Sequence, residues 1–157
     1  MRRRHRALVV SAVLAIVVIS CALFNLERMR AYYWAERAES CGVLSFGVRG
    51  LMTTSDEAQR GVDCFTQAAS HCRSVELRAD VTNTDSGTTY WFLVEAPLSP
   101  LGACEIAALW TANSIHAVGG GAAACQAITR LPTGLRFTGC GAQGDIILPT
   151  THGSSIQ

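Results

Sequence analysis

The sequence predicts an α+β fold, in which an N-terminal transmembrane helix precedes a two-layer domain of one helix packed on a four- to five-stranded antiparallel sheet. Three observations predict this architecture. A charge-free apolar run follows an arginine cluster, one later segment has helical periodicity, and the segments after it alternate between apolar and polar residues. Six cysteines beyond the apolar run are expected to staple the domain with disulfides.

The first element is the apolar run, residues 7–26, which contains no charged residue and follows a basic flank over residues 1–6. Twenty helical residues reach about 30 Å, the thickness of a hydrocarbon core. Arginines on the N-terminal side hold that end in the cytoplasm. We therefore expect a single-pass cell-membrane protein with a juxtamembrane stalk over residues 27–40 and its C-terminal domain outside the cytoplasm.

Two other interpretations of this run stay open. Val18-Ile-Ser-Cys21 resembles a bacterial lipobox, which makes Cys21 a candidate for lipidation, and Ser20-Cys21-Ala22 resembles a signal-peptidase site, which predicts a secreted protein. The bulky Ile19 and the apolar residues beyond Cys21 favour the uncleaved anchor. All three interpretations export the same domain.

The next element is a helix over about residues 55–70. Thr54 and Glu57 have the spacing of a capping box, and four apolar residues then follow at helical spacing: Ala58, Val62, Phe65 and Ala69. On one continuous helix Cys64 and Cys72 would lie about 12 Å apart, too far for a bridge. Either the helix ends before Cys72 or each cysteine pairs elsewhere.

Strands are expected after the helix. Residues 75–82 alternate between apolar and polar side chains, and residues 88–96 form a hairpin with them across a turn cluster. Residues 104–115 fit a strand or a helix, and we favour a strand. Residues 119–124 are expected to be a flexible link, and residues 150–157 a disordered polar tail that follows a domain over residues 41–149.

The exported cysteines form an even set of six, and no C-x-x-C occurs, so three disulfides are expected in place of a zinc site: Cys41, Cys64, Cys72, Cys104, Cys125 and Cys140. One pair can be assigned. Pro132-Thr-Gly134 joins two strand-like runs. A two-residue loop places Cys125 opposite Cys140, a three-residue loop shifts the register by one residue, and in either case the two sulfurs fall at the open end of that hairpin. The other pairings are left open.

The order of one helix followed by antiparallel strands is similar to that of cystatin-like and NTF2-like folds, a likeness of architecture that does not transfer function. Two motifs, Cys64-Phe-x-x-Ala-x-x-x-Cys72 and Cys140-Gly-x-x-Gly-Asp-Ile146, also resemble uncharacterised small bacterial envelope proteins, often lipoprotein-like. The resemblance covers about residues 41–149 and implies an envelope location without implying an activity.

Composition excludes some functions and leaves others open. From residue 41 onward six Arg oppose nine Asp/Glu, 6 − 9 = −3, so nucleic-acid binding is not expected. No catalytic, cofactor-binding or metal-ligating motif is present, and His71 and His116 are the general-base candidates. The consecutive aromatics Tyr90, Trp91 and Phe92 cannot all face one core and mark a candidate partner surface.

These observations predict a non-enzymatic binding or assembly domain tethered to the membrane, whose further partner is an unidentified protein or small molecule. The alternative is a small extracytoplasmic hydrolase or isomerase with an NTF2-like pocket. An enzyme of that kind should have a deep pocket with at least two convergent polar residues between helix and sheet, whereas a binding module should have a filled core and an exposed aromatic patch.

Overall fold

The computed structural model describes residues 38–96, 103–114, 118–152 and 154–156. All of them belong to one unit of the chain, residues 35–157. The predicted span over residues 7–26, the candidate lipidation site Cys21 and most of the stalk lie outside the described residues. No helix within the described ranges has both the length and the hydropathy that a membrane span requires.

The described residues form an α+β fold, as predicted. In chain order the elements are β1 (Glu39–Gly47), β2 (Gly50–Leu51), α1 (Ser55–Ser70), β3 (Val75–Thr82), β4 (Ser86–Glu95), β5 (Glu105–Ser114), β6 (Val118–Cys125), β7 (Ala127–Leu131), β8 (Gly134–Thr138), a 3₁₀ turn (Gly141–Gln143) and β9 (Ile146–Pro149).

The sheet differs from the prediction of four or five antiparallel strands. Six strands form a mixed sheet in the order β2-β1-β3-β4-β5-β6, and β7, β8 and β9 form a separate antiparallel sheet. Strands β1 and β3 are parallel. The reason is topological, because α1 connects the β1–β2 hairpin to β3 and acts as the crossover that a parallel pair needs.

Helix α1 spans the predicted residues, and its ends have local causes. The Thr54 hydroxyl oxygen accepts a hydrogen bond from the Glu57 N–H (3.3 Å) and the hydroxyl donates to the Glu57 carboxylate (2.8 Å). At the other end Cys72 adopts a left-handed φ of 51° and the Arg73 N–H bonds to the Ala68 carbonyl. The helix therefore ends before Cys72.

Three disulfides link the described elements: Cys41–Cys64, Cys72–Cys104 and Cys125–Cys140. The third is the predicted pair. Of the two loop lengths that the sequence leaves open, its hairpin has the two-residue loop, since Leu131 pairs with Gly134 and Ala127 with Thr138. The disulfides thus join α1 to β1, the end of α1 to the start of β5, and the end of β6 to the end of the β7–β8 hairpin.

The predicted flexible link over residues 119–124 is wrong, because these residues belong to strand β6, paired with β5. Gly121 lies opposite Trp110, and a Cβ at this position would overlap the indole ring. The glycine is therefore needed for the close approach of the two strands. Composition suggested flexibility, but a large side chain on the neighbouring strand makes the small residue part of a packed sheet.

The core lies between one face of the six-stranded sheet and a layer made of α1 and the small sheet. Phe65 from α1, Phe92 from β4 and Phe137 from β8 meet there, and none of them is exposed to solvent. The rings of Phe92 and Phe137 are stacked with centroids 4.1 Å apart, and Phe65 packs edge-on against Phe137 at 5.8 Å. These contacts join the two sheets.

Part of the segment predicted as a disordered tail makes defined contacts. The Leu51 N–H donates to the Ser154 carbonyl (3.1 Å), and a ring nitrogen of His152 lies 2.9 Å from the Leu51 carbonyl. Ile156 packs against the core. Polar composition predicted disorder, whereas the backbone groups of β2 provide hydrogen-bond partners for this segment.

Candidate functional site

The candidate site is the open edge of β1. On one side β1 pairs with β3 along most of its length, but on the other side β2 covers only Phe46 and Gly47. The ladder continues one residue further, because the Met52 N–H donates to the Ser45 carbonyl (2.8 Å) and the Ser45 N–H donates to the Thr53 hydroxyl oxygen (2.8 Å). Towards the N-terminus no described strand pairs with this side of β1.

Strand geometry places main-chain hydrogen-bonding groups at this open edge. The N–H and C=O of Ser45 point away from β3, and successive residues of a strand alternate in direction, so those of Val43 point the same way. The register of β1 shifts between Ser40 and Val43, where Gly42 has a φ of 110° and its N–H bonds to the Ser40 hydroxyl oxygen. Val43 is therefore the principal open position beside this bulge.

A solvent-open cleft of about 640 Å³ follows the same edge, and we call it the β1 cleft. One wall is formed by Ser40–Ser45 and the other by α1, with Met52 and Thr53 at the end near β2. The helix is held close to the strand, because a Cβ on Gly61 would lie 3.0 Å from the Cys41 carbonyl oxygen. The Cys41–Cys64 disulfide fixes this distance covalently.

Exposed apolar side chains concentrate at this end of the sheet. The large hydrophobic residues that are exposed within the described ranges are Val43 (45%), Val48 (75%) and Met52 (67%). Val43 and Met52 line the β1 cleft, and Val48 lies in the turn between β1 and β2. Scattered exposed hydrophobics are ordinary, but Val43 and Met52 lie together beside the open edge of β1, which makes this edge a candidate interaction surface.

Two charged side chains of α1 line the β1 cleft. Glu57 accepts the hydrogen bond from the Thr54 hydroxyl, so its carboxylate is engaged in the helix cap. Arg60 is exposed and forms no ion pair with any residue in the described part of the chain. The cleft thus offers one guanidinium group for an anionic partner.

Glu76 lies on the neighbouring strand β3, opposite Ser40. Partial burial raises the pKa of Glu76, while a hydrogen bond with Ser40 and the charge of Arg78 act in the opposite direction. The first residues of the open edge therefore adjoin a carboxyl group that keeps its proton to higher pH than a free glutamate.

A second cleft, of about 400 Å³, lies beside the turn between β1 and β2, where Val48, Tyr90 and Asp145 are among its lining residues. Asp145 is engaged, since it accepts from the Gly139 N–H (3.0 Å) and from Arg136 Nε (3.1 Å). The Gly139 N–H and then Arg136 lower the pKa of Asp145. Its charge is thus used to join β8 to the loop before β9.

The three aromatics of the predicted partner surface are divided between the two faces of the sheet. Tyr90 and Phe92 lie on the face covered by α1 and stack on each other at 6.1 Å. Trp91 lies on the opposite face, where the Arg78 guanidinium is 5.9 Å from its ring centroid. They do not form one surface, and a partner surface at Trp91 stays a prediction.

Neither the general-base candidate His71 nor His152 forms an ion pair with a carboxylate of the described structure. A ring nitrogen of His71 lies 2.9 Å from the Gln67 carbonyl, and His152 contacts Leu51. His116 lies outside the described residues. Within the described ranges no three His, Cys, Asp or Glu side chains are grouped as metal ligands would be.

Sequence reasoning missed the β1 cleft because it did not assign β1 as a strand. The signal was present, since Val43 and Ser45 alternate with Leu44 and Phe46, which are 1% and 2% exposed. No protein-family model, curated protein or solved structure matches the chain.

Proposed function

We propose that the chain is a membrane-tethered binding or assembly domain outside the cytoplasm and is not an enzyme. One observation carries the binding function: the open edge of β1 combines free main-chain groups, exposed Val43 and Met52, and an arginine without a described ion-pair partner. Proteins usually protect sheet edges with charges, prolines or covering segments. An edge that instead carries apolar side chains beside a cleft is suited to receiving a partner.

The packing of the core also supports a surface site. The NTF2-like alternative requires a deep pocket between α1 and the sheet. That space is occupied by Phe65, Phe92 and Phe137, together with Leu77 and Val62, and each of these is 0% exposed. The clefts of the described structure lie at the margins of this core.

The location rests on two arguments of different kinds. Three disulfides favour an oxidising compartment, because cytosolic thiols are kept reduced. The charge-free run behind the arginine cluster favours retention in the membrane with the domain outside. Together they support the proposal that the β1 cleft faces the extracytoplasmic space.

The experiment selects ligands from a random peptide library with the full-length protein in detergent. We expect bound peptides whose affinity falls at least tenfold in Met52→Asp, which places a charge in the β1 cleft. Val48→Asp is the matched control, because it introduces the same charge on the same hairpin but outside this cleft. Non-reducing peptide mapping confirms that both variants retain three disulfides.

Mass spectrometry of the recovered peptides separates binding from catalysis. The proposal predicts that peptides return with unchanged mass after prolonged incubation. Cleaved or isomerised peptides would favour the hydrolase or isomerase alternative. If the affinity of the ligands is unchanged in Met52→Asp but is lost in Val48→Asp, the binding site is the second cleft. That result would overturn the assignment to β1.

A further inference from the structure

We infer that the ligand of the β1 cleft is an extended segment of a partner protein, which adds to the sheet beside β1 and places an Asp or Glu side chain against Arg60. This inference rests on the proposed function, because it requires the β1 cleft to be the binding site. It adds the ligand's chemical class, its backbone conformation and the residue that selects it.

The main chain of β1 favours an extended ligand. Val43 directs its N–H and C=O to the open side, and Ser45 shows that a chain can occupy this side, since Met52 and Thr53 already bond there. A peptide that lies beside β1 in line with β2 would form its first main-chain hydrogen bonds with Val43. Addition of a strand to an exposed edge draws affinity from such main-chain bonds and specificity from the side chains beside them.

The shape of the cleft favours a single strand over a helix or a folded domain. Residues of β1 form one wall, and α1 forms the other with one face of the helix: Glu57, Arg60, Gly61 and Cys64. The spacing of these four residues places them on adjacent turns of the same face. The disulfide and the close approach at Gly61 fix the distance between α1 and β1, and an extended segment can lie beside β1 without a change in that distance.

Charge selects a carboxylate. Of the two charged side chains in the β1 cleft, Glu57 is bonded to Thr54, whereas Arg60 has no ion-pair partner among the described residues. Guanidinium groups bind carboxylates through paired, charge-assisted hydrogen bonds. A carboxylate side chain on the bound strand would form an ion pair with Arg60. The apolar residues beside that carboxylate would contact Val43 and Met52.

A second copy of the chain fits this edge less well. If two β1 strands paired antiparallel about Val43, Cys41 of each copy would face Ser45 of the other, whose backbone groups already bond to Met52 and Thr53. Cys41 of each copy would thus fall where Met52 and Thr53 of the other already lie, whereas a short segment can end before that point. A register centred on Cys41 would set the Gly42 bulges of the two copies side by side.

The test uses blocked hexapeptides of alternating valine and threonine, acetylated and amidated, with a single Asp placed at each position in turn. Each has a matched peptide with Asn at that position. Binding to the full-length protein in detergent is measured by fluorescence anisotropy. We expect at least one Asp position to bind about tenfold more tightly than its Asn counterpart, the preference expected of one charge-assisted contact.

Arg60→Gln should abolish that preference, so that each Asp peptide binds no more tightly than its Asn counterpart. Arg73→Gln is the control, because Arg73 is also exposed but lines neither wall of the β1 cleft. A third arm uses Asn peptides with a free C-terminus. Selection of the terminal carboxylate over the Asp side chain would overturn the assignment to an internal acidic residue.

Strand addition has its own readout, which is independent of Arg60. Amide exchange at Val43 should slow when the Asp peptide binds, and Val43→Pro, which removes the donor from the open edge, should weaken all the peptides. Protection of Val43 that depends on protein concentration without peptide would assign the edge to a second copy. If library ligands depend on Met52 but no Asp preference appears, this inference fails and the proposed function stands.

Discussion

Truncation of Phe137 to alanine tests whether the small sheet β7–β9 is an integral part of the core. The Phe137 side chain is 0% exposed and lies between the rings of Phe92 and Phe65, at centroid distances of 4.1 and 5.8 Å. Removing a buried phenylalanine ring costs about 3–5 kcal/mol through lost burial and the resulting cavity. Because domains of this size are stable by roughly 5–15 kcal/mol, Phe137→Ala should remove a large fraction of the free energy of unfolding.

The assay is guanidinium unfolding of the full-length protein in a non-ionic detergent, followed by tryptophan fluorescence with the disulfides intact. Thr129→Ala on the exposed side of β7 is the control and should change the unfolding free energy by at most about 0.5 kcal/mol. A double-mutant cycle of Phe92→Leu with Phe137→Leu should give a coupling of about 0.5–1.5 kcal/mol. A loss below about 1 kcal/mol in Phe137→Ala, with no coupling to Phe92, would refute the packing of the small sheet on the main sheet.

Three further predictions concern the disulfide, pH and location. Cys140→Ala should lower the unfolding free energy by roughly 3 kcal/mol, the chain-entropy contribution of a loop of about fifteen residues, and an unchanged melting temperature would show that the bridge to Cys125 is not formed. Because the Gly139 N–H and Arg136 lower the pKa of Asp145, its contribution to stability should be present at neutral pH and lost as pH falls through that lowered pKa; the Asp145→Asn variant should lack this component, and identical pH profiles in denaturant titrations would contradict the contact. Fractionation without detergent should leave the protein in the membrane with its C-terminus accessible to external protease, whereas an intact soluble cytoplasmic form would refute the predicted anchor.

The features that sequence reasoning predicted correctly are those with local causes. The capping box at Thr54 determines where α1 begins, and the apolar stripe determines which face of α1 is buried. The residues that form each of these signals lie only three or four positions apart in the sequence. The Pro132-Thr133 loop sets the register of β7 and β8, and that register brings Cys125 and Cys140 together. In each case the interacting residues are close in sequence, so the spacing alone determines the geometry.

The features that were missed depend on residues far apart in the chain. Strand β6 is glycine- and alanine-rich, and its pairing with β5 requires the space that Gly121 leaves for Trp110. The parallel pairing of β1 with β3 depends on α1 as a crossover, which a pattern of apolar residues does not encode. The β1 cleft could not be predicted because β1 was not assigned as a strand. An open sheet edge can be recognised only when the pairing of all neighbouring strands is known.

The same construction that opens the edge of β1 also limits what can occupy it. An unprotected edge is an aggregation hazard, because any extended chain can pair with it. Here β2 closes the end at Phe46 and Gly47, and the bulge at Gly42 interrupts the ladder beyond Val43. Only a short stretch remains open, so a copy of the whole sheet cannot pair with it over its full length. A single extended segment with no strand on its other side can pair with this short stretch. The limited length of the open stretch therefore allows a peptide to bind while preventing sheet-to-sheet polymerisation.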